Sequence, residues 1–220
     1  MVIGIIGAFD EEVEKLIEMF QLKKDESSNR EVFLGEFKEK KLVICKSGIG
    51  KVNSASMCQY LIDHYQVDLV LNSGCAGSLL SKVKIMDVIL SNYVTYHDFN
   101  PTRIMQFSVP ENGRLLASTT LIHKAEEALK ELDISNYYVA PIASGDCFVT
   151  DSKMRDTIYE STGAYAVDME SASIGHICKL NNIPFLSIRT ISDFADGNED
   201  FEVLAAYKSS QLVKALLNLL

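Results

Sequence analysis

The chain has 220 residues, 47% of them apolar and 23% charged, an ordinary balance for a soluble enzyme with a sizeable core. A net charge of −9 and an isoelectric point near 5.0 speak against nucleic acid as a partner, because such binders present a basic face. Cys45, Cys58, Cys75, Cys147 and Cys178 are odd in number, widely spaced and never C-x-x-C, which points to reduced thiols rather than a disulfide framework or zinc site.

The N-terminal segment MVIGIIGAFDEE has no basic region and soon turns acidic, so no secretory signal is expected. No apolar run approaches the ~20 residues that a membrane span needs. A cytoplasmic protein without a membrane partner is the expectation. Residues 2–6 form a short β-rich run that meets Gly7-Ala8, and a helical pattern follows over 11–20. After a polar loop at 23–30, residues 31–37 and 41–46 alternate as a hairpin around 38–40. Residues 47–51 make a Gly-rich turn into a helix over 52–65. A buried strand at 69–72 is then followed by the turn Gly74-Cys75-Ala76-Gly77. Further strands are expected at 83–91 and 137–144, with a helix over 119–132 between them, and 92–112 is the longest irregular piece. The strand 164–167, the helix 171–179 and the strand 185–191 precede a C-terminal helix over 202–219. Its apolar stripe is Val203, Leu204, Tyr207, Leu212, Val213 and Leu216. No repeat or linker divides the chain. The alternation predicts one α/β domain of three layers across residues 1–220.

The opening Gly4-Ile5-Ile6-Gly7 lacks G-x-G-x-x-G, and Asp10, Glu11 and Glu12 occupy the helix start where a pyrophosphate would need to sit. No nucleotide cofactor is expected. Acids in a first turn are usually helix decoration. Glu12, one turn into a helix that begins at a strand exit, could instead act as a base toward a water. The turns Ser47-Gly48-Ile49-Gly50 and Ser73–Gly77 let backbone approach a ligand closely, or simply turn tightly. The four histidines match no paired-ligand spacing, and no metal is expected. Asp168 and Glu170, two apart at a strand-to-helix junction, are either helix N-terminal charge or a carboxylate for vicinal hydroxyls. Asp193 is either a turn cap with Ser192 or a buried general acid.

Six motifs in order resemble the 5′-methylthioadenosine/S-adenosylhomocysteine nucleosidases of the nucleoside phosphorylase superfamily. They are Val2–Ala8 with Glu11-Glu12-Val13, Ser47–Val52, Asn72–Gly77, Ser144–Phe148, Val167–Glu170 and Arg189–Asp193. The resemblance runs from Val2 to about Phe201. It implies a three-layer αβα sandwich around a mixed, partly barrel-like sheet. The implied activity is hydrolysis of the N-glycosidic bond of methylthioadenosine, S-adenosylhomocysteine or a related 5′-modified adenosine, in methionine salvage and recycling, without a cofactor. By resemblance, Glu12 activates water, Asp193 protonates adenine at N7, and Arg189 lies near the water and Glu12. Glu170 and the Met169 backbone hold the ribose, Phe148 stacks on adenine, and the Val149 backbone reads the purine edge. Phe201, Pro101 and Ile104 enclose the 5′ group, with Ile49, Phe9 and Cys75 also at the substrate. A homodimer is implied, the partner subunit completing the 5′ pocket.

Several positions depart from the family pattern. Cys75 stands where a small hydroxyl residue is usual, and Phe9 replaces a Met. The segment 97–104 differs and includes an unexpected Arg103, which either faces solvent at the dimer edge or favours an anionic 5′ substituent. The rival functions are a phosphate-dependent phosphorylase and a non-catalytic nucleoside-binding protein on the same fold.

Overall fold

The computed structural model describes residues 1–99, 109–196 and 202–220. The N-terminal apolar run forms β1 (Val2–Gly7), which lies parallel between β4 (Lys40–Lys46) and β5 (Leu69–Ser78). Ile3, Ile5, Ile6, Ile44 and Leu71 are fully buried there, as expected of parallel strands covered on both faces. β3 (Val32–Phe37) folds back antiparallel on β4 through Lys38 and Glu39, whose positive φ angles of 46° and 64° suit a two-residue hairpin turn. β2 (Lys23–Lys24) pairs with β3 at that edge.

Beyond β5 the sheet closes on itself. β5 pairs in parallel with β10 (Phe185–Asp193), and β10 pairs antiparallel with β6 (Val88–Tyr96). β6 then runs parallel to β8 (Tyr137–Ser144) and β8 to β9 (Ala166–Asp168), which returns antiparallel to β5. The short β7 (Leu115–Leu116) pairs with β6. The expected α/β fold with a mixed, partly barrel-like sheet is therefore present. On one side α1 (Asp10–Phe20), α3 (Thr119–Glu131) and α6 (Glu202–Leu219) pack together. On the other, α2 (Lys51–Tyr65) packs on α5 (Ser171–Leu180). Among the described residues, no helix is long and apolar enough to cross a membrane.

Four expectations need correction. Gly74–Gly77 is not a turn but the interior of β5, for a reason the site supplies below. The strand expected at 83–91 begins only at Val88 and continues to Tyr96, five residues into the piece read as irregular. A helix, α4 (Ser152–Thr162), escaped the periodicity because Ile158 is its one fully covered apolar side chain. Its caps were legible, however: the Asp151 carboxylate accepts from the Lys153 and Met154 amides, and Gly163 closes it at a φ of 68°. The first half of the α6 stripe is also wrong, since Val203, Leu204 and Tyr207 are exposed and Ala205 and Ala206 face the core.

Candidate active site

β10 carries Arg189 into the interior, where it is fully buried. A buried charge must be paired to be tolerated, and the surroundings supply three carboxyls. Its Nε and Nη2 both lie 2.8 Å from Asp168 Oδ2, and Nη2 donates to Asn72 Oδ1 at 2.8 Å. Nη2 is 3.5 Å from Glu170 Oε2, and Nη1 is 3.7 Å from Glu12 Oε1. Asn72 is oriented for this by donating its own amide to the Ile6 carbonyl at 3.0 Å. Glycine in β5 makes the approach feasible. A Cβ on Gly74 would fall 2.0 Å from Glu12 Oε1 and 2.2 Å from Arg189 Nη1. That is why a small-residue stretch which reads as a turn is built as a strand.

Each carboxyl has a different environment. Glu12 reaches back from the first turn of α1 to accept the Ala8 amide at 2.5 Å and the Cys75 amide at 2.9 Å, with Cys75 Sγ at 3.7 Å. Burial raises its pKa; Arg189 and the two amides pull against that, and Asp168 adds to it. Glu170 accepts the Gly50 amide at 2.9 Å, from a residue whose φ of 98° favours glycine. Its pKa is raised to about 7 by burial first and the Asp168 charge second. Arg189 stays protonated, because Asp168, Glu12 and Glu170 outweigh the burial that would neutralise it.

Asp168 does the capping that the sequence assigned to either acid of its pair. It accepts the Glu170 amide at 3.3 Å and the Ser171 amide at 3.2 Å, and the Ser171 hydroxyl also donates to it. Ser144 Oγ donates to its other oxygen at 2.5 Å. Both acids of the pair line the cleft, and Asp168 is the more fully engaged of the two. Asp193 ends β10 half-buried, accepting from Ser192 Oγ at 2.8 Å and from the Ala195 amide at 2.7 Å. Asp193 therefore closes a turn, as the capping reading expects, and it also lines the cleft.

The cleft has a cavity volume of about 100 Å³. Phe9, Glu12, Ile49, Cys75, Met169, Glu170 and Asp193 line it, together with Phe148 and Val149. Arg189 lies beneath this lining rather than in it. Phe148 is 62% exposed at the mouth, and Val149 is buried. Phe201, Pro101, Ile104 and Arg103 fall outside the described residues. Asp98 is held by Lys51 Nζ at 2.5 Å and the Asp146 amide at 2.9 Å, and no cluster suited to a metal occurs among the described residues. Sequence reasoning did not assign roles to Asn72, Ser144 or Ser171. Their signal was weak: a polar residue ending a buried strand in each of the first two cases, and a helix-start serine in the third.

The raised Glu170 has a consequence for stability. Between its ordinary value near 4.5 and about 7, the folded chain binds more protons than the unfolded one, so the slope of unfolding free energy against pH is negative. Stability present below pH 4.5 is expected to decline as pH rises through 7. Glu170→Gln should flatten that decline, which thermal unfolding at pH 5 and pH 8 would reveal; an unchanged slope would contradict the burial argument.

Residues 2–218 match the model of a family described as the phosphorylase superfamily. A 5′-methylthioadenosine/S-adenosylhomocysteine nucleosidase of Staphylococcus aureus is 35% identical, over 98% of this chain and 99% of that protein. The crystal structure of a nucleosidase of that name from Neisseria meningitidis, in complex with methylthio-immucillin-A, superposes with a TM-score of 0.93. It is 31% identical and covers 100% of this chain and 99% of that one. A futalosine hydrolase mutant of Helicobacter pylori gives 0.92, at 29% identity and full coverage of both chains.

Proposed function

We propose, for a chain that belongs to the phosphorylase superfamily and within it to the 5′-methylthioadenosine/S-adenosylhomocysteine nucleosidases, a division of labour among the carboxyls of the cleft. The chain is an N-glycosyl hydrolase of 5′-modified adenosines, releasing adenine and a ribose derivative. Glu12 takes the proton of the attacking water, with Arg189 Nη1 and Cys75 Sγ beside it. Glu170 and the Met169 backbone hold the ribose hydroxyls, and Asp193 protonates the leaving adenine. Phe148 and Val149 flank the purine, with Ile49 and Phe9 as apolar walls. The observation that carries this reading is the convergence of Glu12, Glu170 and Asp193 on one cleft with an aromatic side chain at its mouth. Breaking the bond builds positive charge on the sugar, so an anionic floor stabilises the transition state more than the neutral substrate.

The phosphorylase alternative is disfavoured by the same floor. Among the described residues no Lys or Arg lines the cleft, and the charge of Arg189 beneath it is taken by three carboxyls. A phosphate placed there would meet repulsion at short range. Purified protein should therefore release adenine from methylthioadenosine at the same rate with and without phosphate, as followed by chromatography. A strict phosphate requirement with a sugar 1-phosphate product would overturn the hydrolase reading. Binding of the nucleoside without adenine release would favour the non-catalytic one.

We infer further that residues 1–220 act as a single cytoplasmic unit and that two copies associate. Ile49, Val52 and Phe148 support the second point: they are 54%, 79% and 62% exposed, and two of them line the cleft. A partner over this mouth would cover that apolar surface and complete the 5′ end of the pocket. The candidate substrates are methylthioadenosine, S-adenosylhomocysteine and futalosine-type 5′-modified nucleosides.

A further inference from the structure

Asp168 has the most polar contacts of the buried acids, and the hydrolytic mechanism assigns it no proton to move. It is 7% exposed, and its carboxylate takes Arg189 through Nε and Nη2 at 2.8 Å on one oxygen and Ser144 Oγ at 2.5 Å on the other. It also accepts the Ser171 amide at the start of α5 and the Glu170 amide just before it. The Ser144 hydroxyl is itself fixed by the Ala172 amide at 2.8 Å. One anion therefore joins three elements: the end of β8, the start of α5 and the middle of β10. The other close partner of Arg189 is the neutral Asn72 Oδ1 at 2.8 Å, while the carboxylates of Glu170 and Glu12 stand at 3.5 and 3.7 Å.

We propose that Asp168 is a positioning residue for the reaction: it fixes the buried Arg189 guanidinium between Glu12 and Glu170, and adds a third negative charge that both acids feel. This rests on the assignment of Glu12 as base and Glu170 as ribose ligand. The charged and titratable groups facing this centre are Glu12 from α1, Cys75 from β5, His97 at the end of β6, and Arg189 and Asp193 from β10. Glu170 adjoins from the start of α5, and no further Lys or Arg is paired with the cluster among the described residues. With three carboxyls on one cation, removing the Asp168 charge leaves Arg189 more fully available to the other two. Glu12 and Glu170 are then easier to ionise, because a neighbouring negative charge that raised both has gone.

The test compares the pH profile of kcat/KM for adenine release in wild type, Asp168→Asn, Asp168→Glu and Arg189→Met. The acid limb reports ionisation of the free enzyme's base. In Asp168→Asn this limb is expected to move to lower pH by roughly one unit. In Arg189→Met it should move the opposite way, because the cation that favours ionisation is lost. Asp168→Glu keeps the charge and should leave the limb near its wild-type position, whatever kcat it retains. A role confined to holding the fold would lower kcat and the melting temperature without separating the limbs. An unmoved or raised limb in folded Asp168→Asn overturns the proposal. Absence of adenine release by the wild type would instead overturn the function on which it rests, so the two failures are distinguishable. If Asp168→Asn does not fold, the direction of the Arg189→Met limb alone decides, and a limb that stays put there also overturns it.

Discussion

Asp193→Asn is expected to lower kcat by about 10²–10⁴-fold, the range that general acid catalysis supplies, while KM changes by less than about tenfold. Adenine is a poor leaving group as an anion, and protonation at N7 lets the bond break without that charge. Asp193 is suited to the task by position. It is the last residue of β10, half-buried, and both of its oxygens are oriented by hydrogen bonds at 2.7 and 2.8 Å. Asparagine keeps the volume and can still accept from the Ala195 amide, so the turn and the cleft wall survive. Its amide can also donate a hydrogen bond to a purine nitrogen, which maintains affinity, yet it cannot transfer a proton at neutral pH. Steady-state adenine release, paired with calorimetric binding of methylthioadenosine, separates the two effects. Near-normal turnover in a folded variant would remove Asp193 from the acid role. A nitrophenyl riboside sharpens the test, because its leaving group departs without protonation. The ratio of variant to wild-type rate should recover on that substrate if the missing function is the acid.

How far the sequence foretold this site depends on which physical signal each residue carried. Glu12, Glu170 and Asp193, which line one cleft, were legible as candidates because each is an acid where a predicted strand gives way to a helix or loop. The difference between Asp168 and Glu170 was not legible. Two acids separated by one residue look alike until the direction of β9 is known, and β9 runs antiparallel to β5. Asp168, in register with Ser144 of β8, meets Arg189, while Glu170 accepts the Gly50 amide, and both line the cleft. Gly74 misled for a related reason. Glycine signals a turn in one dimension, but here its missing Cβ makes room for a carboxylate and a guanidinium arriving from α1 and β10. The exposed start of α6 shows the same limit, since a stripe marks which residues share a face and not which face meets the core. The 5′ end of the substrate site was read from residues 97–104 and Phe201, most of which lie outside the described residues.

Glu12→Gln is expected to be the more damaging of the two isosteric changes, because it removes the proposed base and also disturbs the fold. Both Glu12 oxygens accept backbone amides, from Ala8 at 2.5 Å and from Cys75 at 2.9 Å. Glutamine has one acceptor oxygen, so its NH₂ must point at one of those amides, donor against donor. Leaving a buried N–H unpaired costs about 1–3 kcal/mol, and the variant should melt at a correspondingly lower temperature. The chemical loss is separate from this and larger. An amide does not take a proton from water, and kcat should fall by about 10²–10⁴-fold even where the variant is fully folded. The nitrophenyl riboside now gives the opposite result from Asp193→Asn, because a better leaving group does not supply the missing base. Low activity on both substrates, measured below the variant's melting temperature, identifies Glu12 with the water. Recovery on the activated substrate would instead place Glu12 on the leaving-group side of the sugar. That outcome would contradict the proposed roles of Glu12, which sits against Cys75 and Arg189, and of Asp193, which accepts from the Ser192 hydroxyl and the Ala195 amide.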